Sequence, residues 1–445
     1  MLFERYIIKS KYLTKVFEAS SDYAEWFGYY NYDPLNYNQT KLLCNKSPKD
    51  GVKVQTGMKI ELGYYDITSG EWYHIGESDS WNWQQAAMMQ WLPGKGNENK
   101  VIYNTSRDNR LVSIIHDIEN GLDRVIDYPI YGLTPDGKKS ISIDIERSYW
   151  CRAYHYQSVL NVEKDGPVYA GDGIFEVDLE NNTSKRIISI QNIINTDARP
   201  YFKNMKHWIE HVMVNPSGTR FCFLHRFSPI DNIYAYKTRL CVADIDGNNI
   251  QVIEGWDNLE RTHFGWKGDD EFSIYTYQNN RYGNPRSFNE ILHTSPLKFG
   301  ELFVRVILSI SYRLPKCIQK IITGRKSYYE VFSFDGKQFI HSDVYTNRTL
   351  DMDGHPSFTK DGEFMITDTY PNKKHIQTLQ LLNCRTHKYY NIGSFYAFYH
   401  GNPASCDLHP KLCANNDYIM VDSAYNKRHH LILFKINWEL IKNGL

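Results

Sequence analysis

A phrase built on histidine, proline and a glycine turn recurs along this chain of 445 residues. Gly354-His-Pro-Ser-Phe-Thr-Lys-Asp-Gly-Glu-Phe-Met-Ile-Thr-Asp368 is echoed at Asp407-Leu-His-Pro410, where Tyr418-Ile-Met-Val-Asp422 again follows a polar turn. Fainter copies run from His211 through Asn215-Pro-Ser-Gly218 to His225, and from Tyr131 through Thr134-Pro-Asp-Gly137 to Asp144. Each reads as strand, glycine-containing turn, strand. A strand pair of this kind cannot bury its apolar face alone, so copies must pack on one another, and the repeats rather than the length set the domain count.

Strand-pair signals group into seven units of about fifty residues. They run from Trp26 to Ile75, Met88 to Ile126, Tyr131 to Ile188 and His211 to Ile253; the fifth, sixth and seventh begin at His263, His355 and His409. Phrases such as Tyr65-Asp-Ile-Thr-Ser-Gly70 and Asp117-Ile-Glu-Asn-Gly121 extend each unit toward four strands. Strands this short could also form a sandwich, but seven units at one period favour radial closure, which protects the sheet edges. The fold expected is all-β, a seven-bladed β-propeller over residues 26–445, with residues 1–25 as an N-terminal extension. The last unit is a strand short, and the segment near Phe27-Gly-Tyr-Tyr30 is expected to complete it.

Basic and acidic residues balance at 51 each, which removes the global positive field of a dedicated nucleic-acid binder. Nucleic acid is not expected as a partner. The eight cysteines form no Cys-x-x-Cys pair, and the N-terminus lacks an uninterrupted apolar stretch followed by a small-residue cleavage site. Reduced core cysteines and a cytoplasmic address follow.

An insertion at about 281–326 interrupts the fifth unit. It carries Leu302-Phe-Val-Arg-Val-Ile-Leu-Ser-Ile310, and from 298 to 326 seven basic residues stand against Glu301. A short apolar helix with a basic fringe is the composition of a peripheral contact with the inner face of a membrane, and it is too short and too charged to span one. A lid packed on the propeller, or a dimer contact, fits the composition equally well.

In a propeller the innermost strands face one channel, so equivalent positions of different blades converge. Polar residues at the inner-strand starts are His211, His263, His355 with Asp353 two before it, and His409 with Asp407 two before it. Imidazoles gathered with carboxylates suit Mn²⁺ or Zn²⁺, and His263, Asp353, His355 and His409 are the candidate ligands. Second strands end at Arg107, Asp144 with Arg147, His225 with Arg226, Asp368 with Tyr370, and Asp422. Asp144, Asp368 and Asp422 are expected to make hydrogen bonds within the blades, and His429-His430 to lie at the surface. Trp83 and Gln84, with Arg107 and Tyr370, are candidates for holding a sugar by stacking and hydrogen bonding.

With these residues in hand, the chain resembles the bacterial oligogalacturonate-lyase-like β-propeller proteins, a group related in fold to the ulvan lyases. The resemblance covers nearly everything after residue 26 and rests on Trp81-Asn-Trp-Gln-Gln-Ala86, His207-Trp-Ile-Glu-His211, Phe223-Leu-His-Arg-Phe227, His263-Phe-Gly-Trp266, Asp353-Gly-His-Pro-Ser357 and Cys406-Asp-Leu-His-Pro410. It implies β-elimination of a uronate-containing polysaccharide. On that resemblance His211 is the base candidate, His263 and His355 match metal-ligand positions, Arg226 or Arg147 would clamp the carboxylate, and Tyr154 or Tyr156 would serve as the acid. Asp353 departs from the family's ligand pattern, and the His/Tyr/Arg set of the ulvan lyases leaves a metal-free version open. The leading expectation is a lyase acting on an acidic polysaccharide or oligosaccharide. Two alternatives stand beside it: a partner in surface-polysaccharide biosynthesis at the inner membrane face, and an interaction scaffold, which the absence of Trp-Asp blade endings weakens.

Overall fold

The computed structural model describes residues 7–8, 10–152, 156–257, 259–278, 326–346, 353–398, 405–413 and 415–443. Its strands pair into seven antiparallel sheets, five of them meanders in chain order and two edged by N-terminal strands, so the fold is a seven-bladed β-propeller. The innermost strands of blades one to seven are Ala24–Trp26, Gln90–Trp91, Gly132–Leu133, Met205–Val214, Glu260–Trp266, Ser357–Phe358 and Lys411–Leu412.

The repeated turn phrases earn their place by local hydrogen bonding. At Thr134-Pro-Asp-Gly137 and Thr359-Lys-Asp-Gly362 the threonine hydroxyl donates to the aspartate two residues on, at 2.6 Å in both. The glycine that follows has φ of +69° or +67°, the left-handed region that glycine enters without steric cost. In Asp66-Ile-Thr-Ser-Gly70 the carboxylate instead accepts from the Thr68 and Ser69 amides, which returns the chain into the outer strand. Between turns the strand faces are apolar and interlock across blades: Trp26, Trp81 and Trp83 meet with ring centroids 4.7–5.7 Å apart. The seven described cysteines are buried and free, as core residues.

Closure differs from the expectation in its residues. The missing strand of blade seven is Leu13–Glu18, paired with His430–Ile436, so the propeller begins inside the segment read as an extension; Ile7–Ile8 adds a further edge to blade six. Phe27-Gly-Tyr-Tyr30 cannot serve as that strand because Gly28 has φ of +115°, and a Cβ there would lie 3.0 Å from the Gln85 carbonyl carbon. Instead the Phe27 and Gly28 amides are stapled to the Asp422 carboxylate at 2.9 Å each, and the chain turns inward across the axis. Tyr30 donates to the Phe264 carbonyl of blade five at 2.8 Å, and Tyr32 to the Tyr131 carbonyl beside blade three at 3.1 Å. This run of buried tyrosines forms a floor on which the channel residues rest.

The insertion over 281–325 lies outside the described residues, and Lys326 already opens the strand Lys326–Phe334. Among the described residues no helix is long and apolar enough to cross a membrane.

Candidate active site

Four histidines converge above the tyrosine floor. His211 and His263 lie within inner strands rather than at their starts, each where the pairing slips: between Glu210 and Met213 in blade four, and between Arg261 and Phe264 in blade five. A bulge adds a residue to one strand and re-aims its side chain. At His211 the re-aiming puts φ at +56°, and at His409 it is +42°. Such a conformation costs a non-glycine residue roughly 1–3 kcal/mol and persists where surroundings impose it. His355 and His409 stand two residues before their strands. Ring centroids are 4.1 Å apart for His263 and His355 and 4.3 Å for His355 and His409, while Tyr29 stacks on His211 at 5.3 Å and meets His409 edge-on at 5.7 Å. Tyr29 thus joins the two halves of the cluster.

The half formed by blades five to seven is rich in carboxylates. His355 Nδ1 and its own amide both face Asp368, at 2.9 and 2.7 Å. Donor atoms of His355, Asp407 and His409 lie within 4.8 Å of one another. Asp407 Oδ1 is buried without a hydrogen-bond partner, and burial, reinforced by Asp368, pushes this carboxyl up to about 7. An imidazole oriented by an outer carboxylate, a second imidazole beside it and one orphaned carboxylate oxygen fit a divalent cation. His263 stands beside this set: burial works against its charge, but the Asp353 carboxylate 3.1 Å away raises its pKa. Gln84 joins the same side, donating to the Ser405 carbonyl at 2.8 Å.

The half around His211 has a different make-up. Its Nδ1 bonds the Tyr29 hydroxyl, with Gln85 Nε2 and the Tyr131 hydroxyl each at 3.4 Å; its Nε2 faces Glu210 at 3.4 Å. Burial, and then the guanidinium of Arg226, keep the imidazole well below its ordinary pKa, so it is neutral. Glu210 is shared by Arg226 at 2.6 Å, Trp208 Nε1 at 2.7 Å and Arg152 at 3.5 Å, and both guanidiniums lie over the Tyr236 ring. Two cations against one carboxylate leave this wall positive.

Comparison with family models and with curated proteins finds no match. Among solved structures, an oligogalacturonate lyase in complex with manganese superposes with a TM-score of 0.61 over 98% of this chain and 96% of its own, at 14% identity. An oligogalacturonate lyase from Vibrio parahaemolyticus gives 0.59 over 96% and 97%, at 13% identity. The fold is that of the oligogalacturonate lyases.

Within that oligogalacturonate-lyase fold, the structure redistributes the sequence-derived candidates. Arg226 borders His211, and Tyr370 lies over the metal-type half with its ring 6.0 Å from His355. Arg147 is no clamp: its guanidinium is consumed by the Lys164, Pro167 and His207 carbonyls, because the helix Ile145–Cys151 carries it away from the mouth. Trp83 is no stacking platform, since it is buried against Trp26 and His429 and donates to the Val52 carbonyl. His429, expected at the surface, is instead buried on Asp50, and His430 is buried beside Ala19. Tyr156 is buried and donates to Gln85 at 2.8 Å, behind His211, while Tyr154 lies outside the described residues. Arg107 is exposed at a hairpin tip opposite Arg110 and forms no hydrogen bond to the cluster among the described residues. Asp144, Asp368 and Asp422 bond Lys164, His355 and the Phe27–Gly28 amides respectively. Sequence reasoning missed Glu210, Arg152, Tyr236 and Tyr29. The first was legible as the acid next to His211; the others come from loops without repeat phase. A cavity of about 720 Å³ opens at the opposite ends of the inner strands, lined by Tyr32, Trp91 and Val214, away from the histidines.

Proposed function

We propose that this propeller is a lyase that cleaves a uronate-containing oligosaccharide by β-elimination. The observation that carries the reading is the pairing of a neutral, strained imidazole, His211, with a guanidinium-rich wall on one side and a His355/Asp407/His409 donor set on the other. β-Elimination needs the sugar's acid group neutralised, the hydrogen alpha to it removed, and the departing glycosidic oxygen protonated. A neutral imidazole can take the hydrogen, and Glu210, 3.4 Å away, stabilises the imidazolium that results. Arg152 and Arg226 hold a carboxylate in place. His355, Asp407 and His409 would hold a divalent metal, manganese or zinc, which when bound supplies Lewis-acid neutralisation of the acid group. The oligogalacturonate lyase in complex with manganese, which shares this fold, supports both the substrate class and the ion.

The test is the ultraviolet absorbance of the unsaturated uronate, followed with purified protein on a panel of acidic oligosaccharides with manganese, zinc or chelator. Product that disappears in His211→Ala, with the fold intact by circular dichroism, supports the reading. Oligosaccharide binding without product on every uronate tried would refute it.

A further inference from the structure

The cavity of about 720 Å³ at the far ends of the inner strands shares no wall with the histidine cluster, and its chemistry is set by the fold. Its rim is aromatic. Tyr37 is 85% exposed, more than any other large apolar or aromatic side chain among the described residues, and it stands at the tip of a turn that is held closed. There the buried Asn36 side chain accepts from the Thr40 and Lys41 amides at 2.8 and 2.9 Å, and the Asn36 amide donates to the Lys41 carbonyl at 3.0 Å. Trp91 is tied to the same loop, donating Nε1 to the Pro34 carbonyl at 3.0 Å, so its one polar atom is spent and the ring is left as apolar wall. The polar side chains deeper in offer acceptors. Gln90 gives both amide hydrogens away from the cavity, to the Met88 and Tyr131 carbonyls at 3.2 and 2.9 Å, which leaves only its oxygen to offer. Asn31 Oδ1 is buried without a hydrogen-bond partner.

We propose that this cavity is a second binding site, one that takes a neutral sugar of two or three rings. A sugar presents an apolar C–H face, which packs on an aromatic ring, and an edge of hydroxyls, which donate to fixed acceptors; the rim and the depth of this cavity match the two in turn. A purely apolar ligand would fill the space but leave the Asn31 oxygen unpaired, and an unmade hydrogen bond in a buried place is costly. The charges narrow the class further. Lys95 lines the cavity and opposes an ammonium ligand, while Asp33 and Glu98 line it and oppose a uronate. The wall beside His211 has the reverse balance, with Arg152 and Arg226 against Glu210. The two ends of the propeller therefore favour different sugars, acidic at the histidines and neutral here.

Isothermal titration calorimetry of the full chain tests this without any turnover. The probes are cellobiose, maltose, lactose and mannobiose as neutral sugars, digalacturonate with chelator as the acidic one, and choline as the ammonium. At least one neutral sugar is expected to bind with Kd of about 1 mM or tighter. Tyr37→Ala should weaken it about tenfold and Tyr37→Phe, which keeps the ring, by no more than about twofold. Trp91→Ala should match Tyr37→Ala; if it fails to fold, the exposed Tyr37 still decides. No heat from any of the neutral sugars, or binding that survives Tyr37→Ala undiminished, would overturn the inference. So would a Tyr37-dependent site that takes digalacturonate or choline more tightly than the neutral sugars. None of these results bears on uronate cleavage at His211, and a protein that cleaves no uronate would still be expected to hold a neutral sugar here.

Discussion

His207 and His211 lie four residues apart on one inner strand, each near an arginine, and they are opposites. Arg239 can only donate, and it bonds His225 Nδ1 at 3.0 Å; His225 Nε2 then donates to His207 Nδ1 at 3.0 Å, and His207 Nε2 to the Phe202 carbonyl at 2.9 Å. Every ring nitrogen in that chain is consumed, and both rings are fully buried and stacked at 5.2 Å. At His211 the Nδ1 meets the Tyr29 hydroxyl, while Nε2 faces Glu210 at 3.4 Å and makes no hydrogen bond among the described residues. His211 further differs by its bulge, its positive φ and a side chain 14% exposed. A histidine is structural when both its nitrogens have been used by the fold, and available for chemistry when one has not.

Removing one member from each side should break this symmetry in opposite ways. His211→Ala should cost about 10³-fold in kcat, near 4 kcal/mol of barrier, with thermal stability almost unchanged. Equal losses of activity and of melting temperature would place His211 with the structural pair. Arg239→Met should do the reverse. It leaves the Ile193 and Thr196 carbonyls and His225 Nδ1 without their buried donor, a loss of about 3–4 kcal/mol in denaturant unfolding, with kcat preserved in the folded fraction. A stability change under about 1 kcal/mol would show that the carbonyls find other donors.

How far the sequence reached depends on which of its features are periodic. The blades were legible because Thr-x-Asp-Gly turns and apolar strands repeat at one spacing, and the convergence of His263, His355 and His409 followed from repeat phase alone. Closure was not, because the strand Leu13–Glu18 carries no repeat phrase and its partner lies more than four hundred residues away in the chain. The bulges were equally hidden: one residue slipped from register changes which way His211 points while leaving composition untouched. Arg147 was assigned to the mouth by phase and Trp83 to a sugar by its place among amide residues, but a helix after Asp144 and an inward turn at Asn82 take them elsewhere. Irregular segments therefore account for most of what was missed, including the tyrosine floor.

The structural pair His207 and His225 also has a pH signature. Burial, with Arg239 and Arg147 adding to it, lowers His207 to about 4, and His225 is shifted the same way. The unfolded chain, with an ordinary histidine near 6.5, takes up protons first as pH falls, so the folded state loses ground. The contribution of His207 is fully present above about pH 6.5, is reduced by about 2 kcal/mol at pH 5, and is exhausted near pH 4 at a total of about 3 kcal/mol. Urea unfolding at several pH values between 7 and 4.5 reads this directly, and stability flat across that window would contradict it. Repeating the series in Arg239→Met sharpens the comparison: the guanidinium's share of the shift goes and burial's remains, so the pH slope should shrink without vanishing. A slope that vanished would assign the effect to charge alone. A slope unchanged would assign it to burial.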